Sequence, residues 1–408
     1  MKKDNIAKAS LGMLAGLAAF AMLTGCKDEN GGGKNTPYVP IELTRSQQEV
    51  VATTNKLAYS LLEKTCKEGE DNVFESPLSL TTALAMLANG AQGETQRQLL
   101  DALEAENLDE LNNTFSILSS RLPSADGRVR LSIANSLWVG NNYPILPEYQ
   151  QILKDYYNAE AFNIKLGSKN ALDKINQWCS DKTEGLINPF LEFPPEWPVN
   201  LVNAVYFKGQ WTNMFKDHDT RLFTCASGRK KRMEMMRQEY ETLSRSFDKW
   251  SETARLPYGN GAFYMEISLP NEGITPEGLL AIRASGQTDP EAQDIIDSNI
   301  TVTMPKFKIE TEVDFVGALK ALGVTDAFDD SRADFSRIAT RPLYFNTVLQ
   351  KSYVIVNEEG TEAVSATYVG GLTCPGPGDP FTVDRPFIFS IREKSSGAIL
   401  FLGIVRTL

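Results

Sequence analysis

The spacing of apolar residues changes from a helical to a strand period along this chain of 408 residues. Apolar side chains at the three- and four-residue spacing of one helix face occur at 45–68, 147–157 and 172–183. Short alternating or continuous apolar runs, typical of strands, occur at 72–75, 131–139, 200–207, 264–269, 301–305, 348–356, 387–392 and 398–405. Helices followed by strands, with no break in composition between them, predict a single α+β domain over 45–408.

A helix is also predicted directly after the strand at 72–75. Pro77 suits the first helical position, and Ser76 before it is a typical N-cap residue. Asn89-Gly90 can end this helix.

The segment after Val356 combines features of a strand and of a loop. Its alternate residues Thr361, Ala363, Ser365 and Thr367 are all small and would share one face of a strand. No proline occurs from 361 to 374, so every residue there keeps a backbone N–H for a β-ladder. The run then ends in a proline-rich stretch with Pro375, Pro377 and Pro380. Composition alone allows two interpretations: an extended surface loop, or a latent strand that can slide between two existing ones.

The N-terminus has the features of an export signal. Lys2, Lys3 and Lys8 precede an apolar stretch at 11–23 that is too short to span a bilayer. It ends in Leu23-Thr24-Gly25-Cys26, which resembles the lipobox of bacterial lipoproteins. We therefore expect 1–25 to be a lipoprotein signal peptide, Cys26 to carry the lipid, and 26–44 to be a flexible tether. The protein would then be exported and lipid-anchored to the outer membrane or cell surface, or be extracellular.

Composition excludes several other functions. The net charge of −11 argues against a nucleic-acid partner, which needs a concentrated basic face. The five cysteines show no CxxC spacing, and a single histidine excludes multi-histidine metal centres, so we expect neither a metal nor a cofactor. That histidine, His218, lies in a polar stretch that predicts an exposed loop rather than a catalytic base. No catalytic constellation remains, and we expect no enzyme activity.

Five stretches resemble the serpin family in order and spacing, and together they extend over about 45–408. The hinge of the serpin reactive-centre loop is similar to Glu358-Glu359-Gly360-Thr361-Glu362-Ala363-Val364-Ser365-Ala366-Thr367. The other stretches are Asn72 to Ser79, Leu201 to Trp211, Met304 to Phe307 and Arg385 to Phe389.

The resemblance implies a fold and a mechanism. Serpins have a large, mainly antiparallel sheet, two smaller sheets and about nine helices, with the loop, here about 358–380, exposed at one end. A protease cleaves the loop and forms an acyl intermediate, and the released segment then inserts into the large sheet and carries the protease to the opposite pole. Fourteen residues from Thr361 to Cys374 would span about 46 Å as a strand.

The resemblance also assigns roles to residues outside the loop. Ser76, Ser79 and Asn203 match the polar cluster called the shutter, and Trp211 matches a tryptophan of the breach, where the loop first inserts. Gln350 replaces the shutter histidine of many serpins. Glutamine still donates and accepts hydrogen bonds, so the cluster should persist without pH sensitivity from that site.

The sequence leaves three candidates for the bond that a protease cleaves. Counting from Gly360 as in the family gives Cys374–Pro375, but most serine and cysteine proteases cleave poorly before proline. Thr373–Cys374 and Leu372–Thr373 are the alternatives.

We therefore expect a monomeric suicide-substrate inhibitor that binds serine or cysteine proteases covalently and contacts membranes only through its lipid. The alternatives are a non-inhibitory serpin acting as a binding protein and a serpin that is cleaved without trapping. The small hinge residues Thr361, Ala363 and Ser365 argue against the first of these.

Overall fold

The computed structural model describes residues 36–66, 72–361 and 380–408. These residues contain eight α-helices and two short 3-10 helices. The α-helices are α1 (Arg45–Thr65), α2 (Pro77–Gly90), α3 (Gly93–Ala102), α4 (Leu108–Arg121), α5 (Pro147–Tyr157), α6 (Lys169–Lys182), α7 (Pro276–Ala284) and α8 (Val316–Ala321).

The same residues form fifteen strands. They are β1 (Val73–Glu75), β2 (Val129–Gly140), β3 (Glu160–Ile164), β4 (Val199–Gln210), β5 (Asp217–Thr224), β6 (Lys230–Phe247), β7 (Ser251–Tyr258), β8 (Phe263–Pro270), β9 (Gln293–Pro305), β10 (Phe307–Asp314), β11 (Val348–Val356), β12 (Gly360–Thr361), β13 (Phe381–Thr382), β14 (Phe387–Glu393) and β15 (Ile399–Val405).

Local sequence explains where several helices begin. Helix α1 starts in a capping box, in which the Gln47 backbone N–H donates to Thr44 Oγ1 (3.3 Å) and the Thr44 N–H donates to Gln47 Oε1 (3.0 Å). Helix α2 begins at Pro77 as predicted, and Ser76 occupies the N-cap position. The expected side-chain cap is absent, however, because Ser76 Oγ donates to the Leu400 carbonyl oxygen (2.7 Å) instead. Ser76 therefore ties the helix to a strand of the neighbouring sheet.

The strands form two sheets. One has six strands in the order β10-β11-β12-β4-β2-β3, and the other has nine, in the order β1-β15-β14-β8-β7-β6-β9-β13 with β5 paired to β6. The expected α+β class is confirmed. The two smaller sheets expected beside the large one are hydrogen-bonded into one, because the 18-residue strand β6 pairs with β5 and β9 as well as with β7.

Helix α2 lies between the two sheets. It packs against β2 and β4 of the six-stranded sheet and against β15 of the other. All of its residues are buried, as expected for a helix that is apolar on every side. Phe74 of β1, stacked on Phe389 and Phe401, continues the same core. Helix α2 and these aromatic residues thus form the core that packs beneath the six-stranded sheet. No helix within the described ranges is long and apolar enough to cross a membrane.

Candidate functional site

The centre of the six-stranded sheet is only partly closed. Strands β4 and β11 run parallel and pair directly over four positions, from Val348 opposite Leu201 to Lys351 opposite Ala204. Beyond Lys351, in the described residues, β4 and β11 no longer pair with each other. At the far end the two-residue strand β12 lies between them and pairs antiparallel with both. Between Lys351 and Val356 the two strands are therefore not paired with each other, and we call this region the gap.

A tight turn reverses the chain from β11 into β12. Asn357 Oδ1 accepts hydrogen bonds from the backbone N–H groups of Glu359 (3.1 Å) and Gly360 (3.2 Å), and the Asn357 N–H donates to the Gly360 carbonyl oxygen (2.9 Å). A Cβ atom on residue 360 would collide with the Gly209 carbonyl oxygen, so only glycine fits there. The turn thereby directs Thr361 into the gap.

Three aromatic side chains, Trp211, Tyr258 and Phe207, pack together beside β12. Trp211 stacks on Tyr258 with ring centroids 4.4 Å apart, and Phe207 meets Tyr258 edge-on at 5.1 Å. The Trp211 indole Nε1 donates to the Asn357 carbonyl oxygen (2.9 Å), and its backbone N–H donates to the Glu359 carbonyl oxygen (2.8 Å). Trp211 thus lies at the hinge, where the resemblance predicts it.

Thr361 is the last described residue of the hinge and is already buried. Only 1% of it is exposed, and its hydroxyl lies 2.6 Å from the Tyr258 hydroxyl. Burial raises the pKa of Tyr258, so the phenol stays protonated and can donate this hydrogen bond. One residue of the small face is therefore already inside the sheet.

A charged cluster, Lys306, Glu234, His218 and Glu358, holds the first hinge residue. Lys306 Nζ lies 2.9 Å from Glu358 Oε1 and 3.5 Å from Glu234 Oε2. Partial burial raises the pKa of Glu358, but the hydrogen bond from Lys306 and the charges of Lys306 and His218 outweigh it and leave this pKa below its usual value. The Glu358 carboxylate is therefore ionised and held in place.

The placement of His218 corrects the sequence interpretation. It lies in strand β5 rather than in a loop, is half-exposed, and has its Nδ1 3.6 Å from Glu358 Oε1. In the part of the chain that the structure describes, strand β5 pairs with β6 alone, and most of its residues are exposed. The sequence analysis therefore mistook an edge strand of polar composition for a loop.

The four residues predicted for the shutter lie together beneath the closed part of the sheet. Gln350 Nε2 donates to Asn203 Oδ1 (2.8 Å) and to the Ser76 carbonyl oxygen (3.1 Å), and Gln350 Oε1 accepts from the Ser76 N–H (2.7 Å). Asn203 Nδ2 donates to Ser79 Oγ. Gln350 and Asn203 are directly opposite each other on β11 and β4, so this network joins the strands that insertion would separate.

Two members of this cluster escaped the sequence analysis. Asn135 Oδ1 accepts from Asn203 Nδ2 (2.6 Å), and Ser352 Oγ donates to Gln350 Oε1 (3.2 Å). Both are buried polar residues in strands, Asn135 directly opposite Asn203 and Ser352 two residues after Gln350. Polar residues on the inward face of a predicted strand are the signal that could have found them.

Several predicted residues lie outside the described residues. They are the hinge residues Glu362, Ala363, Val364, Ser365, Ala366 and Thr367, the residues of the candidate cleavage bonds Leu372, Thr373, Cys374 and Pro375, and the lipidation residue Cys26. Within the described ranges, no three His, Cys, Asp or Glu side chains are grouped as they would be to hold a metal ion.

Comparison with known proteins identifies the family. A family model described as serpin (serine protease inhibitor) matches residues 52–408. Leukocyte elastase inhibitor A of Mus musculus is 34% identical over 384 residues, which cover 88% of this chain and 99% of that protein. The chain therefore belongs to the serpin family, whose description is that of an inhibitor and not of an enzyme.

Solved structures agree with this assignment. The native state of tengpin, a thermophilic serpin, has a TM-score of 0.80 at 29% identity, covering 92% of this chain and 97% of its own. Human thyroxine-binding globulin has a TM-score of 0.78 at 25% identity, covering 89% of this chain and 99% of its own.

Proposed function

We propose that this serpin is an irreversible suicide-substrate inhibitor of serine or cysteine endopeptidases that acts by inserting its cleaved loop as an extra strand. The observation that carries this proposal is the position of β12 between β4 and β11, antiparallel to both. This position supports the proposal because an inserted strand would extend β12 between the same two strands.

The strand directions supply a driving force. A full strand inserted after Thr361 would replace the short parallel contact of β4 and β11 with two antiparallel ladders. Ala363, Ser365 and Thr367 follow Thr361 at the two-residue period and would face the same buried side. If each new backbone hydrogen bond contributes about 1 kcal/mol net, a strand of this length gains on the order of 10 kcal/mol.

This free energy would be used to trap the protease. The Ser hydroxyl or Cys thiol of the protease attacks the carbonyl carbon of the cleaved bond, and the amine of the downstream residue leaves with a proton. The upstream segment then stays joined to the protease through an ester or thioester. Insertion before water hydrolyses this bond would carry the protease along the sheet and distort its active site. The serpin itself needs no catalytic group for this.

The test is to incubate the purified protein with a panel of serine and cysteine proteases. We expect a complex that survives SDS and has the added mass of one protease. Loop cleavage with full recovery of protease activity, for every protease tried, would contradict the proposal and indicate a serpin that is only a substrate.

We propose that the cleaved bond is Cys374–Pro375, Thr373–Cys374 or Leu372–Thr373. Mass spectrometry of the released C-terminal fragment distinguishes the three, because its first residue would be Pro375, Cys374 or Thr373. A fragment beginning elsewhere would overturn all three assignments.

We further propose that the inhibitor is displayed outside the cytoplasm by a lipid on Cys26. The residues at 23–26 support this proposal. Metabolic labelling with a radioactive fatty acid should mark the wild-type protein and not Cys26→Ala. Equal labelling of both proteins would contradict the anchor.

A binding function is the alternative that the likeness to thyroxine-binding globulin raises. The discriminating feature is the small hinge face that begins at Thr361, which a purely binding serpin does not need. Failure to form any covalent complex, together with an intact loop, would favour binding.

A further inference from the structure

Two large aromatic side chains are exposed in one short loop, and the proposed mechanism gives them no role. This loop, residues 191–198, is the last part of the connection between α6 and β4, which runs over 183–198. Phe193 is 77% exposed and Trp197 is 46% exposed. Single exposed apolar residues are normal, but two aromatic rings within five residues are the kind of surface that marks a binding site.

The backbone of this loop is fixed. Asn176 Nδ2 donates to the Leu191 carbonyl oxygen (2.9 Å), and the Gly167 N–H donates to the carbonyl oxygen of Pro195 (2.9 Å). Asn200 Nδ2 donates to the Trp197 carbonyl oxygen (3.0 Å). These three hydrogen bonds restrain the backbone that carries the two rings, which lowers the entropy lost on binding a partner.

The loop lies at the end of the sheet opposite the hinge. Trp197 comes two residues before Val199, where β4 begins, and β4 ends at Gln210, which pairs with Gly360. Twelve residues of strand span about 40 Å. The aromatic loop is therefore about as far from the hinge as the inserted strand would reach.

The register of the hinge places the end of the inserted strand at this loop. Gly360 is opposite Gln210 and Thr361 is opposite Gly209, so each later residue moves one position toward the start of β4. An uninterrupted strand would bring Leu372, Thr373 and Cys374 opposite Pro198, Trp197 and Glu196. Whichever of the three candidate bonds is cleaved, the residue joined to the protease would lie within one position of Trp197.

We propose that Phe193 and Trp197 form a docking surface for the trapped protease. This inference rests on the proposed inhibitory function. Aromatic side chains supply much of the contact energy in protein interfaces, and the exposed Glu192 and Glu196 beside them add a negative rim. The surface would hold the protease against the pole while its active site is distorted. Release requires water to hydrolyse the ester or thioester, giving a loop carboxylic acid and a free protease hydroxyl or thiol, and docking slows this step.

The test compares complex lifetimes in the full-length protein. Wild type and the double variant Phe193→Ala/Trp197→Ala are each reacted with a protease that they trap, and recovery of protease activity from the purified complexes is followed over time. We expect both to form the complex at the same rate, because the two rings lie at the opposite end of β4 from the hinge. The complex of the double variant should decay faster, by about tenfold or more.

Two further variants serve as controls. Ile296→Ala removes a side chain that is equally exposed (77%) but lies on β9 of the other sheet, and its complex should decay at the wild-type rate. Phe193→Tyr/Trp197→Phe keeps both rings and should preserve the lifetime. Because the substituted side chains are exposed, thermal unfolding of all variants should match wild type.

The outcomes separate this inference from the function on which it rests. If complexes form but the double variant decays at the wild-type rate, the docking surface is refuted and the inhibitory function stands. If wild type itself forms no complex and is only cleaved, the inhibitory function fails and the docking surface with it.

Discussion

The hydroxyl of Thr361 lies 2.6 Å from that of Tyr258, inside the gap between β4 and β11. Thr361 is thus held between β4 and β11, at the position where the proposed insertion would begin. Thr361 is 1% exposed, so this position tests directly whether the segment must enter the sheet.

Thr361→Arg should convert the inhibitor into a substrate. An unpaired guanidinium at this buried position would cost several kcal/mol, so the hinge would be held out of the sheet and the strand could not insert before the acyl bond is hydrolysed. We expect normal loop cleavage and loss of the SDS-stable complex, measured by gel electrophoresis and residual protease activity. Thr361→Ser keeps the hydroxyl and should still trap. Trapping by Thr361→Arg at the wild-type level would show that trapping does not need residue 361 to be buried in the sheet.

Gln350→Ala should weaken the closed part of the sheet. The change removes hydrogen bonds to Ser76 and Asn203 in a buried cluster, and each buried polar group left without a partner costs about 1–3 kcal/mol. The measurement is the half-life of inhibitory activity on heating, which should shorten. A half-life equal to that of wild type would show that the cluster does not hold β4 and β11 together.

Gln350→His is the matched variant, because it keeps a polar side chain at the same position. A buried imidazole is held neutral, so stability should be close to wild type at pH 8 and fall as the pH drops below about 6.5. The wild-type shutter should show no such dependence. An unchanged pH profile in Gln350→His would indicate that the side chain at 350 is not buried in solution.

Glu75 should make the protein less stable as the pH rises. It is fully buried, Thr65 Oγ1 donates to its Oε2 (3.0 Å), and among the described residues its Oε1 has no hydrogen-bond partner. Burial raises the pKa of Glu75 to about 8, against about 4.3 in an unfolded chain. Between these values the folded state holds a proton that the unfolded state has released, so the free energy of unfolding falls with rising pH.

Glu75→Gln should therefore raise the midpoint of thermal unfolding by several degrees at pH 8 and change it little near pH 4.5. Glu241→Gln, at an exposed position of β6, is the control and should leave the profile unchanged. A Glu75→Gln profile parallel to that of wild type over this range would contradict the assignment.

The sequence predicted the elements whose apolar pattern is complete and missed those whose pattern is weak. Helix α5 and strand β11 begin and end where the patterns at 147–157 and 348–356 predict. Strand β5 was missed because an edge strand facing solvent has no apolar alternation to show. Ser76 was expected to cap α2, but its hydroxyl instead donates a hydrogen bond to the carbonyl oxygen of Leu400, more than 300 residues away. Local patterns carry no information on such distant contacts.

Residues of the candidate site divide in the same way into those that the sequence predicted and those that it missed. The hinge and Trp211 were found because they lie within contiguous motifs. The cluster of His218, Glu234, Lys306 and Glu358 was not, because these residues come from four separate strands or turns and meet only in the folded chain. The aromatic loop at 191–198 was also missed, since its position at the end of the sheet opposite the hinge follows from the pairing of β12 with β4 and not from its own sequence.

The central claim is that the loop becomes a strand of the sheet once its downstream attachment is cut. The direct measurement is thermal unfolding of the intact protein and of the same protein nicked within 362–379 by a protease that it does not trap. We predict a rise in the unfolding midpoint on the order of 20 °C, since a gain near 10 kcal/mol shifts the midpoint by about 2–4 °C per kcal/mol in large domains. An unchanged midpoint after complete nicking would contradict the account.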